Sequence, residues 1–397
     1  MYFRNKSFYM QEQGWEVDLI SAQKGKVYIP DLKKYDVVIP EIGFDYFLFS
    51  KKKRKKIVDG LVERICNQQY DEIIIESSCL QESTWAEVVS EKCGARHLCY
   101  ILQEYNPIDS NSEQEFVIFK YLRHELAGIT DHSLYDMFLP FWPIKKEQSY
   151  SLPAYCNNVV EDIPCDILDH LNLSNYDHVI GCLSRLDKPF IISAIKDIIQ
   201  YTQSHSKKYL FIMIGGAPEG SSFECNIKKL FVNHNNVELL VTGYMFPVPL
   251  SLLNRCEAFI TSAGSAWVCM RTGIPTISYD GNDLRPIGIM GRTTKNSLFR
   301  SEDEPVQDLF VLLDEILEKK KYPKEEASFN TAKIDFSSHD KFMKEMASSK
   351  EFFSFDNKVL SFAERKLSIL LRIFGAECYL KLGSLKKKLI NSKTSDR

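Results

Sequence analysis

Four short stretches of this chain place glycines, small hydroxyls and cations where apolar runs end. They are Gly181-Cys182-Leu183-Ser184-Arg185-Leu186-Asp187-Lys188, Ile214-Gly215-Gly216, Val241-Thr242-Gly243-Tyr244 and Ser262-Ala263-Gly264-Ser265. The chemistry these residue types suit is the capture of a diphosphate. Strand ends present bare amides, glycine lets backbone approach an oxyanion with no Cβ in the way, and a helix start adds partial positive charge. Arg185 offers a planar fork of donors and Lys188 a point charge, against a plain reading of both as solvated loop residues. Ser265 is expected as the N-cap of a helix over Trp267–Thr272, closed by Gly273. The segment Asp280-Gly281-Asn282-Asp283-Leu284-Arg285-Pro286 follows the next strand. Asp280 or Asp283 suits sugar hydroxyls and Arg285 a phosphate; an ordinary surface turn is the other reading. Gly288–Thr294 reads either as a lid or as a simple loop.

The elements that must carry these stretches alternate. In residues 178–279, strand-like runs at His178–Gly181, Tyr209–Ile214, Val237–Val241, Ala258–Thr261 and Thr276–Tyr279 are separated by helices, among them Pro189–Ser204, with Val306–Lys319 beyond. Such alternation implies a parallel sheet covered on both faces. Residues 1–150 repeat the pattern. Strands are expected at Glu16–Ile20, Val37–Pro40, Glu72–Glu76, His97–Leu102, Gly128–Thr130 and Met137–Phe141. Helices are expected at Arg4–Gln13, Lys55–Gln68, Thr84–Lys92 and Glu115–Leu126, the last carrying Arg123-His124-Glu125 as a solvated face. The chain opens in a helix, so the first strand and glycine loop of a doubly wound domain are missing from the pattern. The expected organisation is therefore α/β: residues 1–150 as one Rossmann-like domain lacking a legible first strand, 151–330 as a second, and 331–397 as a helical tail. The tail helices are Asp340–Met346 and Val359–Ile373, packed back on the first domain or lying on a membrane surface.

The 397 residues carry a formal net charge of -3, so no global field favours nucleic acid. The 11 cysteines show no CxxC or Cys/His ligand spacing, which predicts reduced, mostly buried thiols and no metal site. No apolar run reaches the ~20 residues of a membrane span, and the opening segment does not read as a signal peptide. A cytoplasmic location is the expectation. Lys51, Lys52, Lys53, Arg54, Lys55 and Lys56 form six consecutive cations ahead of an amphipathic helix. They read as a solvated face or as a dock for an anionic inner membrane surface.

Two Rossmann-like domains with a helical tail resemble the GT-B glycosyltransferases, facing each other across a cleft in that fold. The four stretches from Gly181 to Pro275 carry the likeness, in the order and spacing of the family-four-like C-terminal domain. The resemblance implies a nucleotide-diphosphate sugar as co-substrate, with no cofactor and no metal. It puts the diphosphate at Gly264-Ser265, neutralised by Arg185 and Lys188, and the base near Gly243. Gly215, Gly216, Tyr244, Ser262, Asp280 and Arg285 complete the implied donor site. The first domain becomes the acceptor domain, and the acceptor a saccharide or lipid-linked saccharide in surface polysaccharide biosynthesis. Glu104 follows Leu98–Leu102 where related enzymes place a histidine–glutamate pair, which implies a base or an acceptor contact; a salt-bridged structural carboxylate is its other reading. This chain departs from the pattern in three places. Gln103 stands for the histidine, Cys182 for an arginine, and Val268 for the second of two glutamates usual around the phosphate turn. Retention and inversion both stay open, and a non-catalytic GT-B-like subunit or a nucleotide-sugar epimerase are the alternative readings.

Overall fold

The computed structural model of the chain describes residues 1–22, 29–34, 37–67, 69–102, 108, 110–156, 158–169, 171–218, 221–328, 335–347, 351–356 and 358–382. The chain divides into two compact units. One joins Tyr2–Tyr155 to Lys333–Gly383, and the other is built on Cys156–Ala332.

The first unit begins with α1 (Tyr2–Glu12), β1 (Ile20–Ser21) and β2 (Val37–Val38), the two strands forming a small parallel pair. Next come α2 (Lys51–Ile65), β3 (Ile74–Ser77), α3 (Leu80–Cys93), β4 (Arg96–Ile101), α4 (Asn111–Leu122), β5 (Leu126–Gly128) and α5 (Asp131–Phe138). Strands β3, β4 and β5 make a second parallel sheet in that order. Four expectations need correction here. Lys51–Lys56 does not precede a helix; it forms the first turns of α2, with the Ser50 hydroxyl accepting from the Lys53 amide. Residues 137–141 are not a strand. Leu134, Met137 and Phe138 are spaced for one helical face, and Thr130 caps α5 in a reciprocal box with Ser133. Arg123–Glu125 is not helical either: His124 turns to φ 56°, and β5 starts at Leu126. Only Ile20 of the expected strand Glu16–Ile20 is in a strand.

Inside this unit an ion network is buried beside the apolar clusters. The buried Lys120 ammonium donates to Glu87 Oε2 at 2.9 Å and Glu125 Oε2 at 2.7 Å. His97 Nδ1 lies 2.6 Å from the same Glu87 oxygen, and the Phe353 amide donates to Oε1 at 2.9 Å. Arg123 donates to Glu125 at 3.0 Å, so its guanidinium belongs to this network and not to a solvated face. Such charges are tolerated inside only because each finds a partner.

The second unit runs β6 (Val160–Glu161), α6 (Asp166–Asp169), β7 (His178–Leu183), α7 (Phe190–Gln203), β8 (Tyr209–Ile214), α8 (Phe223–Leu230) and β9 (Val237–Val241). It continues through β10 (Val248–Pro249), α9 (Leu250–Leu253), β11 (Ala258–Thr261), α10 (Gly264–Met270), β12 (Thr276–Tyr279), β13 (Pro286–Ile289) and α11 (Leu309–Leu313). Six strands form one sheet in the order β13-β12-β11-β7-β8-β9, parallel except for β13. Residues of β8 alternate between two cores. Tyr209, Phe211 and Met213 pack with Phe190, Ile191 and Ile195 of α7, while Leu210, Ile212 and Ile214 pack with Leu252, Val268 and Cys269 on the other face. That two-sided burial is why the strand reads as an unbroken apolar run. Burying each such side chain contributes about 1.5–3 kcal/mol, so this sheet is the rigid part of the unit. Strand β13 was read as part of a surface turn and a lid or loop, but Pro286–Ile289 is buried.

Two later helices, α12 (Ser337–Glu345) and α13 (Phe362–Phe374), belong to the first unit. Phe342 and Met343 pack with Tyr2, Met10 and Tyr100, and Leu371 packs with Val58 and Leu61.

Candidate functional site: the strand ends of the second unit

The order of strands in the second unit reverses at β7. From β7 the chain goes to β8 and β9 on one side, then to β11 and β12 on the other. In open parallel sheets ligands bind outside the carboxyl ends of the strands at such a reversal, because the two connections diverge there and leave a crevice. The loops that meet at this point are Ser184–Pro189 after β7, Gly215–Ala217 after β8 and Ser262–Ala263 after β11.

Direct bonds tie these loops together. The Ser184 amide donates to the Ile214 carbonyl at 3.1 Å, and the Leu186 amide to Gly216 at 3.1 Å. Gly215 and Gly243 form an isolated antiparallel bridge, and Thr242 donates to the Met213 carbonyl at 3.0 Å. Thr261 Oγ1 donates to the Leu183 carbonyl at 2.7 Å, locking the end of β11 to the end of β7. The glycines are required by close approach. A Cβ on Gly215 would stand 1.9 Å from the Ser184 carbonyl oxygen, and one on Gly216 would stand 2.5 Å from the Tyr244 ring. Gly215, Gly216, Gly243 and Tyr244 are therefore one packed cluster.

The turn after β11 differs from expectation. Helix α10 starts at Gly264, and Ala263 is its N-cap, with no side-chain cap. Ser265 is thus the second helical residue. Ala263 adopts φ 57° and ψ -137°, a region costly for a residue with a Cβ. What holds it there is a segment the sequence reading did not single out. The Ala263 amide donates to the Ser297 carbonyl at 2.6 Å, Trp267 Nε1 donates to Ser297 Oγ at 3.2 Å, and the Gly281 amide donates to Leu298 at 2.7 Å. The Ser262 hydroxyl donates to the Tyr279 carbonyl at 2.9 Å and keeps acceptor capacity. The amides of Gly264 and Ser265 have no acceptor among the described residues. Because α10 has only seven residues, these amides matter more here than any helix dipole.

Asp280 stands apart from its expected use. Its Oδ1 accepts from the amides of Asn282 at 2.7 Å and Asp283 at 3.1 Å, and its Oδ2 accepts from Arg300 at 2.6 Å. The carboxylate is buried and spent on its own loop, so it organises the turn. Asp283 is the exposed partner of Arg300, at 2.6 Å. Burial opposes its charge, but the Arg300 hydrogen bond, the Arg285 amide and the charges of Arg300 and Arg285 outweigh burial and hold its pKa below the usual carboxylate value. Arg285 is exposed; its amide donates to Asp283 Oδ1 at 3.0 Å and its carbonyl accepts from the Asp280 amide at 2.9 Å. Arg185 is exposed with Nε 3.1 Å from Asp187 Oδ1, and Lys188 is exposed with no ion pair among the described residues. Val268, where the resemblance places a glutamate, is buried in the core.

In the first unit, Glu104 lies outside the described residues. Glu76 accepts from Tyr2 Oη at 2.6 Å and from the Lys6 ammonium. No group of three or more His, Cys, Asp or Glu side chains among the described residues is placed to hold a metal ion.

No protein-family model matches this chain, and no curated protein matches it. Solved structures do. A glycosyltransferase from Rickettsia africae superimposes with a TM-score of 0.54 at 14% identity, covering 96% of this chain and 94% of that one. HepE of Anabaena, in complex with UDP and glucose, gives a TM-score of 0.50 at 15% identity over 85% and 88% of the two chains. The same protein with UDP-glucose gives 0.50 at 14% identity over 72% and 80%. At these identities the likeness establishes the architecture. This chain has the GT-B glycosyltransferase fold, with two Rossmann-like domains.

Proposed function

We propose that this protein is a glycosyltransferase that takes a nucleotide-diphosphate sugar at the strand ends of its second unit. The observation that carries the reading is the meeting of the β7, β8 and β11 loops at the strand-order reversal, with glycine backbone at the centre. In this reading the free amides of Gly264 and Ser265 receive the diphosphate, and Arg185 and Lys188 offset the charge that develops on the leaving group. Backbone near Gly243 holds the base, beside the Tyr244 ring. These groups supply the charge compensation a metal supplies elsewhere, so the reaction proceeds without one. The first unit takes the acceptor, a saccharide or lipid-linked saccharide of surface polysaccharide synthesis.

A thermal-shift screen of UDP, GDP and their sugars, run in chelator, tests this. A ligand at about 100 times its dissociation constant adds ~2.7 kcal/mol of stability. One nucleotide family is expected to raise the melting temperature; a flat response across all of them overturns the reading. The buried Val268 favours a second reading, a non-catalytic donor-binding subunit. Turnover of the donor separates the two, since a subunit binds without releasing nucleoside diphosphate.

The reading extends to an anionic membrane surface at α2. Arg54 is stacked 4.5 Å from the Tyr46 ring and Lys53 pairs with Glu41 at 2.7 Å, while Lys55 pairs with Asp59. Lys51, Lys52 and Lys56 remain exposed, and α13 of the same unit exposes Phe362, Ile369 and Ile373. Among the described residues no helix is long and apolar enough to cross a membrane. Flotation with anionic and neutral vesicles tests the dock, with Lys51→Glu, Lys52→Glu and Lys56→Glu together expected to abolish binding to the anionic ones.

A further inference from the structure

The first unit contains a cleft of about 950 Å³, bordered by Ile20 of β1, Ile74 of β3, Leu61 and Ile65 of α2, and Trp85 and Val89 of α3. The two helices in its wall end side by side, and the topology shows why. Helix α2 leads the chain to β3, and α3 leads it to β4. Strands β3 and β4 are parallel, with Ile74 opposite Arg96, and the Arg96 amide donates to the Ile73 carbonyl at 3.0 Å. Both helices therefore finish at one edge of the sheet, where these strands begin. Leu61 and Ile65 of α2 share an apolar cluster with Val89 and Cys93 of α3, so the helices stay packed to their last turns.

Each helix closes on a cysteine. Cys66 is the C-cap of α2, its amide donating to the Val62 carbonyl at 2.8 Å, and Cys93 is the last residue of α3, ahead of the left-handed turn at Gly94. The two thiols are in side-chain contact. Cys66 is exposed and Cys93 half-buried, and both are reduced. A cysteine used only as a small apolar filler is buried, as Cys182 and Cys269 are; Cys66 is not. Burial first, and then the Cys66 contact, push the Cys93 thiol up to about 12, so it keeps its proton at neutral pH. The sulfur that meets a reagent from solution is therefore Cys66, with Cys93 waiting beside it.

We propose that Cys66 and Cys93 form a reversible intramolecular disulfide by exchange with a small-molecule disulfide such as glutathione disulfide, clasping α2 to α3 in the wall of the cleft. In the first step the Cys66 sulfur, having lost its proton, attacks one sulfur of the reagent. A mixed disulfide forms, and one glutathione leaves as a thiolate and takes up a proton. In the second step Cys93 gives up its proton and its sulfur attacks that of Cys66, so the second glutathione leaves and is protonated in turn. The two protein thiols lose two electrons and two protons, and one glutathione disulfide becomes two glutathiones. A reduced small thiol in excess drives the same steps backwards.

The test treats the full chain with glutathione disulfide, quenches in acid, alkylates the remaining thiols and maps the peptides by mass spectrometry. The link between Cys66 and Cys93 is expected to exceed any other cysteine pairing by roughly tenfold or more, because a preformed contact makes the second step intramolecular. Cys93→Ser is expected to stop the sequence at a glutathione adduct on Cys66, and Cys66→Ser to leave Cys93 a thiol. Dithiothreitol is expected to restore both thiols. In the linked chain, hydrogen exchange of the Cys66 and Gly94 amides is expected to slow by roughly tenfold. A lasting glutathione adduct on Cys66 of the unsubstituted chain, with Cys93 still a thiol, overturns the proposal. So does a link that forms equally well in urea, since the folded contact would then play no part. Unchanged amide exchange in the linked chain overturns the clasp. No readout here involves a nucleotide, so the outcome is independent of the donor screen.

Discussion

The carbonyl oxygen of Ser184 lies 1.9 Å from where a Cβ on Gly215 would stand. The β7 loop therefore rests directly on the backbone of the β8 loop, and a bare Cα is what permits it. Gly215→Ala must push two backbone segments apart, which costs about 1–3 kcal/mol as overpacking does elsewhere. Nucleotide-induced stabilisation should fall with it, because Ser184–Lys188 moves. Gly216→Ala meets a side chain instead, the Tyr244 ring at 2.5 Å. Its effect is expected to be smaller and to be relieved by adding Tyr244→Ala. Denaturant melts of the two single variants and the double variant check this.

Asp280 bonds three backbone amides. Asp280→Ala leaves those donors unmet and is expected to cost about 2–3 kcal/mol, with the Ser262–Ser265 turn loosened through Arg300 and Leu298. Arg285→Ala, at an exposed position, should stay within about 0.5 kcal/mol in stability. If Asp280 acted on the sugar and not on the turn, stability would hold while donor discrimination fell. Melting curves and donor affinities measured together separate these outcomes.

Lys188→Ala is expected to leave the melt of the free protein unchanged and to weaken nucleoside-diphosphate binding by roughly tenfold, about 1.4 kcal/mol. Arg185→Ala should behave likewise, tempered by its contact with Asp187. Calorimetric titration with the nucleotide found in the screen is the measurement. Unchanged affinity in both variants removes these residues from the donor site.

The Glu87 network makes the first unit acid-sensitive. Burial by itself would raise the Glu87 pKa, but the His97 hydrogen bond, with the Lys120 charge and the Phe353 amide, outweighs it and holds the group near 2. The His97 pKa is lowered, by burial first and then by the Lys120 charge. A carboxyl held below its unfolded value of ~4.3 stabilises the fold fully above that pH. The contribution is then lost as pH falls from about 4.3 towards 2, on the order of 3 kcal/mol in all. Melts of the first-unit transition from pH 7 to pH 3 should show this loss. Glu87→Gln should be less stable at pH 7 and show a shallower acid slope.

The strands of the second unit were legible because their cause is local. Tyr209–Ile214, Val237–Val241, Ala258–Thr261 and Thr276–Tyr279 were expected with the bounds the structure has. Each is a short run, mostly apolar and β-branched or aromatic, bounded by breakers, and such a run has one low-cost conformation when both faces are covered. Errors fell where two periods compete. Leu134-Tyr135-Asp136-Met137-Phe138 satisfies a helical stripe, and the apolar cluster at its end looked like a strand. At Arg123–Glu125 a helical pattern ran on, but His124 ends it with a left-handed turn that no local signal marks.

Composition and pattern by themselves determined an α/β chain with parallel strands, glycine-bearing strand ends and a helix ahead of β1. Each of those follows from neighbours within a few residues. Only the tertiary structure decided that Asp280 serves its own loop, that Ser297 and Arg300 hold the turns after β11 and β12, and that β1 and β3 border one cleft. Those outcomes depend on which distant backbone groups find each other. Hydrogen bonds across 20 or 30 residues of chain leave no periodic trace in the residues that make them.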